Sequence, residues 1–414
     1  MVLVCVAVVF MASAYIGCSK TEAPSECRDP LGCVRLAPGE PVKIGILQAL
    51  SGDVATLGTE QIRGFELALA DRQGRVLGRP VVTQTEDTGC SAEGGANAAL
   101  KIIADPNHIA IFGTTCSGAA ATAAKVMSGA GLSMISGNNS APFLTSVAGR
   151  RAPNWQAGYF RTSSNEEHSG KAAAIYAYEK LGIRKAASIN DGDIYTKGLT
   201  DGFNKVFQSL GGETVLDTQV DKGDRLMEPV LTAVLNAEAQ LLFFPLFQPE
   251  GNHILFQARK MPEFQSIVLM SNGALINQSF IEAVGEKGKG MYFVGPAGFK
   301  GRSVDQLEKK YKDTYQTAPS VFYFINAYDA ANVLFNGIEK TAVRETDGSI
   351  RIGRQALRDV LYATQNFEGI TGSLSCDEFG DCGRSVFNVL QLEDVSAGLE
   401  GLKSNVKFVY SPQK

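Results

Sequence analysis

The sequence predicts an α/β protein made of two doubly wound units, and three observations carry that expectation. Apolar strand-like runs alternate with helical stretches from Val42 onward, and the alternation restarts after Arg161. The 414 residues, 44% hydrophobic and 20% charged, are enough for two full cores. A βαβ rhythm implies parallel strands with helices on both faces, because parallel neighbours need a long crossover.

The elements follow in order. "MVLVCVAVVFMASAYIGC" is apolar from Val2 to Ala12, too short for the roughly 20 residues that span a bilayer, and reads as a secretory signal over residues 1–18. Its end, "AYIGCSK", resembles a bacterial lipobox, in which Cys18 would be lipidated and become the mature N-terminus, although Tyr15 stands where Leu is usual. Residues 19–40, rich in Pro, Ser and charge, read as a tether between anchor and body. The first unit runs "VKIGIL", helix Thr59 to Arg72, "PVVTQTE", helix Ser91 to Ala104, "IAIFG", helix Ala119 to Gly129, and "LSMIS". The second begins with a helix from Ser169 to Leu181 and "KAASIN", then a helix with Leu199, Phe203, Val206, Phe207 and Leu210 at helical spacing. It continues through "ETVLD", "QLLFFPLF" and "SIVLMS". A net charge of −4 with scattered Lys and Arg leaves no basic surface for nucleic acid.

Of eight cysteines, Cys5 would leave with the signal and Cys18 would carry lipid. The other six allow 15 pairings. An exported chain favours disulfides, and the simplest set joins Cys27 to Cys33, Cys376 to Cys382, and Cys90 to Cys116. The acidic loop "CDEFGDC" is a poor metal site, because calcium needs six or more oxygen ligands.

Open parallel sheets bind ligands beyond the carboxyl ends of their strands. That rule selects "QALSGDVATLG", "GTTCSG", "SGNNSAP", "NDGDIYTKG", "PLFQPEG" and "SNGAL", most of them rich in Gly, Ser and Asn. Nucleophilic use of Ser117 or Cys116 would need a nearby base, and the chain has only His108, His168 and His253. His108 opens the strand that ends near Ser117, so it lies at the wrong end; His253 falls inside a helix; His168, near a lobe junction, reads as structural. No elbow, zinc, P-loop or dinucleotide motif appears, so a hydrolase is the least favoured reading, and no cofactor or metal is expected. A Ser at a helix N-terminus suits an anion instead, with a plain N-cap role for Ser117 as the alternative.

In order and spacing, "VKIGILQALSGDVATLGTEQIRGFELAL", Cys90 with "TTCSGAA", "MISGNNSAPFLT", "YFRTSSNEEHSGKAAA", "NDGDIYTKGL" and "TGSLSCDEFGDC" resemble the branched-chain amino acid binding proteins of ABC importers over roughly Val42 to Asp394. The resemblance implies a periplasmic binding protein type I fold: two Rossmann-like lobes joined by a three-strand hinge, with crossings near Arg161, Gly295 and Thr371. The lobes would be residues 41–161 with 296–370, and 162–295 with 371–414. It also implies a disulfide between Cys90 and Cys116, a carboxylate held by Ser117 and Gly118, and an amino group and one carboxylate oxygen met by the hydroxyl and backbone of Ser140 with the carbonyls of Asn138 and Asn139. Tyr195 would close over the carboxylate. Leu57, Phe247 and Asn272 depart from the family's aromatic, tyrosine and acid at those positions, which leaves a carboxylate without an amine as an alternative ligand. Partners implied are a small amino acid or carboxylate, an ABC permease and, through the lipid, a membrane; a receptor in place of the permease would use the same closure.

Overall fold

The computed structural model describes residues 26–412. The signal, Cys18 and the first part of the tether lie outside the described residues. Two parallel sheets dominate. In the first, β1 (Val42–Gln48), β2 (Arg79–Asp87), β3 (His108–Gly113), β4 (Ser133–Ser136) and β5 (Tyr159–Arg161) lie in the order β2-β1-β3-β4-β5. In the second, β6 (Lys185–Asn190), β7 (Glu213–Gln219), β8 (Leu241–Phe243), β9 (Val268–Asn272) and β10 (Tyr292–Pro296) repeat it as β7-β6-β8-β9-β10. Antiparallel β11 (Phe387–Gln391) and β12 (Val406–Tyr410) extend that sheet.

The apolar runs become these strands because both faces are covered. On β3, Ile109 and Phe112 pack with Phe65 of α1 (Ala55–Asp71), while Ile111 faces Ala120 and Met127 of α3 (Ser117–Gly129), with α2 (Ala92–Ile103) alongside. The helix expected from Ala119 thus begins two residues earlier. After β5 the chain passes to α4 (Glu167–Ile175), which packs on α5 (Ile194–Ser209) by the second sheet. Where one helix was expected to Leu181, α4 gives way to a wider turn over Tyr176–Lys180. After β10 the chain returns: α6 (Arg302–Tyr315) and α7 (Tyr323–Thr341) pack on α1, Phe335 meeting Phe65 edge-on at 5.3 Å.

Two boundaries move. The tether does not extend to residue 40, because Cys33–Leu36 forms a strand antiparallel to Ile350–Gly353, with Val34 and Leu36 buried in the first core and Arg35 outward. The final crossing comes later than Thr371: Leu374, Cys376 and Cys382 pack in the core under the first sheet, and only with Phe387 does the chain join the second. Disulfides join Cys27 to Cys33, Cys90 to Cys116 and Cys376 to Cys382.

The fully buried Arg161 ties the crossings together. Its guanidinium pairs with Asp381 and donates to Ala141 O (2.7 Å) and Thr145 Oγ1 (2.5 Å). Its backbone brackets the Cys376–Cys382 loop, with Arg161 N donating to Gly380 O (3.0 Å) and Cys382 N donating to Arg161 O (2.9 Å). Removing one partner strands the other's buried charge. Asp381→Asn is therefore expected to cost about 3 to 5 kcal/mol in urea unfolding of the oxidised protein; a loss within experimental error would show the pair to be dispensable.

Candidate functional site

The loops after β1, β3 and β4 brace one another. Thr115 Oγ1 donates to Gln48 Oε1 (2.7 Å) and accepts from Ala49 N (2.9 Å). Ser136 Oγ donates to Thr114 O (2.9 Å) and accepts from the N–H groups of Asn138 and Asn139, each at 3.0 Å. Asn138 Nδ2 donates to Thr115 O (2.7 Å), and the Cys90 bond pins Cys116. Cys116 takes the N-cap position of α3, so Ser117 opens the helix and is not its cap; its hydroxyl accepts from Ala141 N (3.2 Å) and keeps its hydrogen.

From the second sheet, Asp193 caps α5 by accepting from Tyr195 N (2.9 Å), which sets the Tyr195 ring 5.3 Å from that of Phe247. Between the two sets of loops lies a small, partly open cavity. Leu57, Ser117, Asn138, Ser140, Tyr195 and Phe247, all singled out in the sequence, line it together.

Three other candidates stand behind its wall. Gly118 faces the opposite loop, where an added Cβ would lie 2.5 Å from the Asp193 carboxylate, so glycine permits the two sides to meet. Asn139 is buried with its carbonyl accepting from Arg161 Nη1 (3.4 Å) and from the Ser163 hydroxyl, which uses both lone pairs and leaves none for an amino group. Asn272, at the end of β9, is fully buried and donates through Nδ2 to the Tyr195 hydroxyl (2.7 Å).

Some wall residues escaped sequence reasoning. Thr115 and Cys116 lie in a loop that had been selected; Gly273 and Ala274 follow Asn272 in another. Asn277, Val321 and Tyr323 come from stretches without a strand-end signal. Glu166, the residue before α4, was also missed. It accepts from the Tyr195 hydroxyl through Oε2 (3.0 Å), and its backbone N donates to Ser140 O (2.9 Å). Complete burial raises its pKa to about 7, against the hydroxyls of Ser140 and Tyr195 and the charge of Arg161, which pull it down. Burial, with Glu166 nearby, also holds the Tyr195 and Tyr323 phenols neutral.

Among the described residues, no Asp, Glu, Lys or Arg lines the cavity, and neither does any of the three histidines. His108 is buried at the start of β3, His253 lies in the helix Glu250–Ala258, and His168 lines a separate cavity with Asn366 and Arg384. The cavity offers a hydroxyl and free N–H groups at a helix N-terminus at one side and an apolar and aromatic wall at the other, which suits holding an anion with an apolar body.

Residues 41–383 match the family described as periplasmic binding protein. The Leu/Ile/Val-binding protein BraC3 of Rhizobium johnstonii is 24% identical over 341 residues, covering 82% of this chain and 90% of that protein. Among solved structures, the leucine binding protein LivK of Thermotoga maritima superposes with a TM-score of 0.74 at 23% identity, covering 90% of this chain and 99% of that one. A solute binding protein of an ABC transporter from R. palustris, in complex with benzoate, also superposes with a TM-score of 0.74, at 21% identity, covering 90% and 97%.

Glu166 makes stability pH-dependent with a definite sign. Between its ordinary pKa of 4.5 and about 7, the folded chain keeps a proton that the unfolded chain releases, so this group's contribution falls as pH rises through that window. In thermal unfolding without ligand, the Tm of Glu166→Gln is expected to fall less between pH 5 and pH 8 than that of the unaltered protein. Parallel Tm profiles would place the titration elsewhere.

Proposed function

Because the chain belongs to the periplasmic binding protein family, we propose that it is the extracytoplasmic substrate-binding lipoprotein of an ABC importer, capturing a branched-chain or other hydrophobic amino acid between its lobes and delivering it to a membrane permease. One observation carries this reading: a cavity between loops at the carboxyl ends of both sheets, with a helix N-terminus on one wall and Leu57, Phe247 and Val321 on others. In this reading the ligand carboxylate takes the Ser117 hydroxyl and the N–H groups opening α3, and the aliphatic tail takes the apolar wall.

The first lobe comprises about residues 26–161 and 297–383, and the second the remainder of the body, following the sheet membership above. Ligand entering the open cleft meets Ser117 and Ser140 first; closure then brings Tyr195 and Phe247 over it and expels water. Gly118 lets the first lobe come close to the Asp193 carboxylate of the second. Closed and open forms present different surfaces to the permease, and the ligand leaves chemically unchanged. Lipid on Cys18 would keep the protein at the membrane outside the cytoplasm.

A second reading, a carboxylate without an amine, is favoured by a wall that carries no acidic side chain and by the relative solved with benzoate. A thermal-shift panel of leucine, isoleucine, valine, 4-methylpentanoate and benzoate separates the two. The amino acids are expected to raise Tm most, and a panel in which none does would refute the proposal. Ser117→Ala is expected to weaken binding by about 1 to 3 kcal/mol in calorimetry, and to lower the unliganded Tm as well, because it leaves the buried Ala141 N–H without its acceptor. Unchanged affinity would remove Ser117 from the carboxylate site. Cys18→Ala is expected to shift the protein from the membrane fraction to the soluble one.

A further inference from the structure

We propose that Glu166 sets the preference of this cleft for ligands that carry an ammonium group, acting through Tyr195 and Asn272 as a positioning residue. The inference rests on the carboxylate-binding reading above and goes on to say which end of the ligand is read by which residues.

Hydrogen-bond direction is the reason. Asn272 Nδ2 donates to the Tyr195 hydroxyl at 2.7 Å, and that hydroxyl donates onward to Glu166 Oε2 at 3.0 Å. The phenolic hydrogen is thereby committed, and Tyr195 presents only its remaining lone pair to the cavity it lines. It can accept from a ligand there and cannot donate to one. Beside this hydroxyl stand two further buried acceptors, Asn272 Oδ1 and Glu166 Oε1, in residues wholly inaccessible to solvent, and the Ser140 hydroxyl, whose hydrogen is directed to Glu166 and Tyr195 and whose lone pairs are left for a ligand. Ser140, whose carbonyl is already taken by Glu166 N, closes the same wall.

This wall is therefore an acceptor pole, opposite the donor pole where α3 begins. An acid without an amine satisfies only the donors. An α-ammonium brings three N–H donors and a positive charge, and the carboxylate one layer behind Tyr195 strengthens each bond it makes. Arg161 offsets only part of that carboxylate's charge. Arg161, the cation closest to it in effect, is spent on Asp381, Thr145 and backbone carbonyls, and the facing phenols of Tyr195 and Tyr323 stay neutral. Glu166 also belongs to the segment joining the two sheets, with its backbone bonded to Ser140 on one side and its side chain to Tyr195 on the other. The group that recognises the amine is thus made complete only by closure.

The test is calorimetry at pH 8 of leucine and of its deaminated analogue 4-methylpentanoate, with the unaltered protein, Glu166→Gln and Glu166→Asp. The unaltered protein is expected to prefer leucine by about tenfold or more, the scale of one charge-assisted bond. In Glu166→Gln that ratio should shrink about tenfold, through leucine alone, and Glu166→Asp, which keeps the charge, should retain part of it. A Glu166→Gln protein that loses both ligands by the same factor, or keeps the full ratio, would overturn the inference while the carboxylate reading stands. If the unaltered protein binds neither compound, the carboxylate reading fails and this inference falls with it. Should Glu166→Gln not fold, Glu166→Asp decides: a full loss of the ratio despite the retained charge would count against Glu166.

Discussion

The buried guanidinium of Arg161 holds the hinge and the ligand loops in one arrangement. It closes the last strand of the first sheet and pairs with Asp381 on the disulfide loop that precedes the final crossing. The same group fixes the carbonyl of Ala141, whose N–H in turn holds the Ser117 hydroxyl. A charge so completely enclosed tolerates few alternative arrangements, because every displaced bond leaves an uncompensated polar group in the interior. Asp381 is equally engaged, accepting from Thr145 Oγ1 (2.9 Å) and Asn165 Nδ2 (3.0 Å) as well. The position of the start of α3 and the path of the hinge are thus set by one network.

The two sheets share a strand order, and each has its topological switch beside its first strand. At such points the loops diverge and leave a crevice. Facing two switches across a hinge makes one cavity from two crevices, with each lobe contributing a different polarity. The first supplies donors through Ser117 and the opening of α3; the second supplies Tyr195, turned into an acceptor by Glu166 and Asn272. A ligand with a negative and a positive end bridges the lobes and stabilises the closed form by the difference in its contacts between closed and open states.

Much of this was legible in the residues. Strands buried on both faces read as continuous apolar runs, so "IAIFG" and "SIVLMS" were found, and the loops after the expected strands together contain the six of nine proposed site residues that line the cavity. What escaped has physical causes. Asn139 looked like a ligand contact, but Arg161 and Ser163 from a later stretch consume its carbonyl. The prolines and charges of residues 26–40 hid a strand, since Val34 and Leu36 alternate with Arg35 over only four residues. Val321 and Tyr323 reach the cavity from the turn into α7 and its first residue, where no strand end marks the place. Glu166 sits in a polar run that resembles any solvated turn; only the fold buries it.

The most direct test of this account is a crystal structure grown with leucine. The account predicts a closed cleft with the carboxylate on the Ser117 hydroxyl and the first N–H groups of α3, and the ammonium against the hydroxyls of Tyr195 and Ser140. Leucine bound in the opposite sense, with its carboxylate towards Tyr195, or bound outside this cavity, would contradict it.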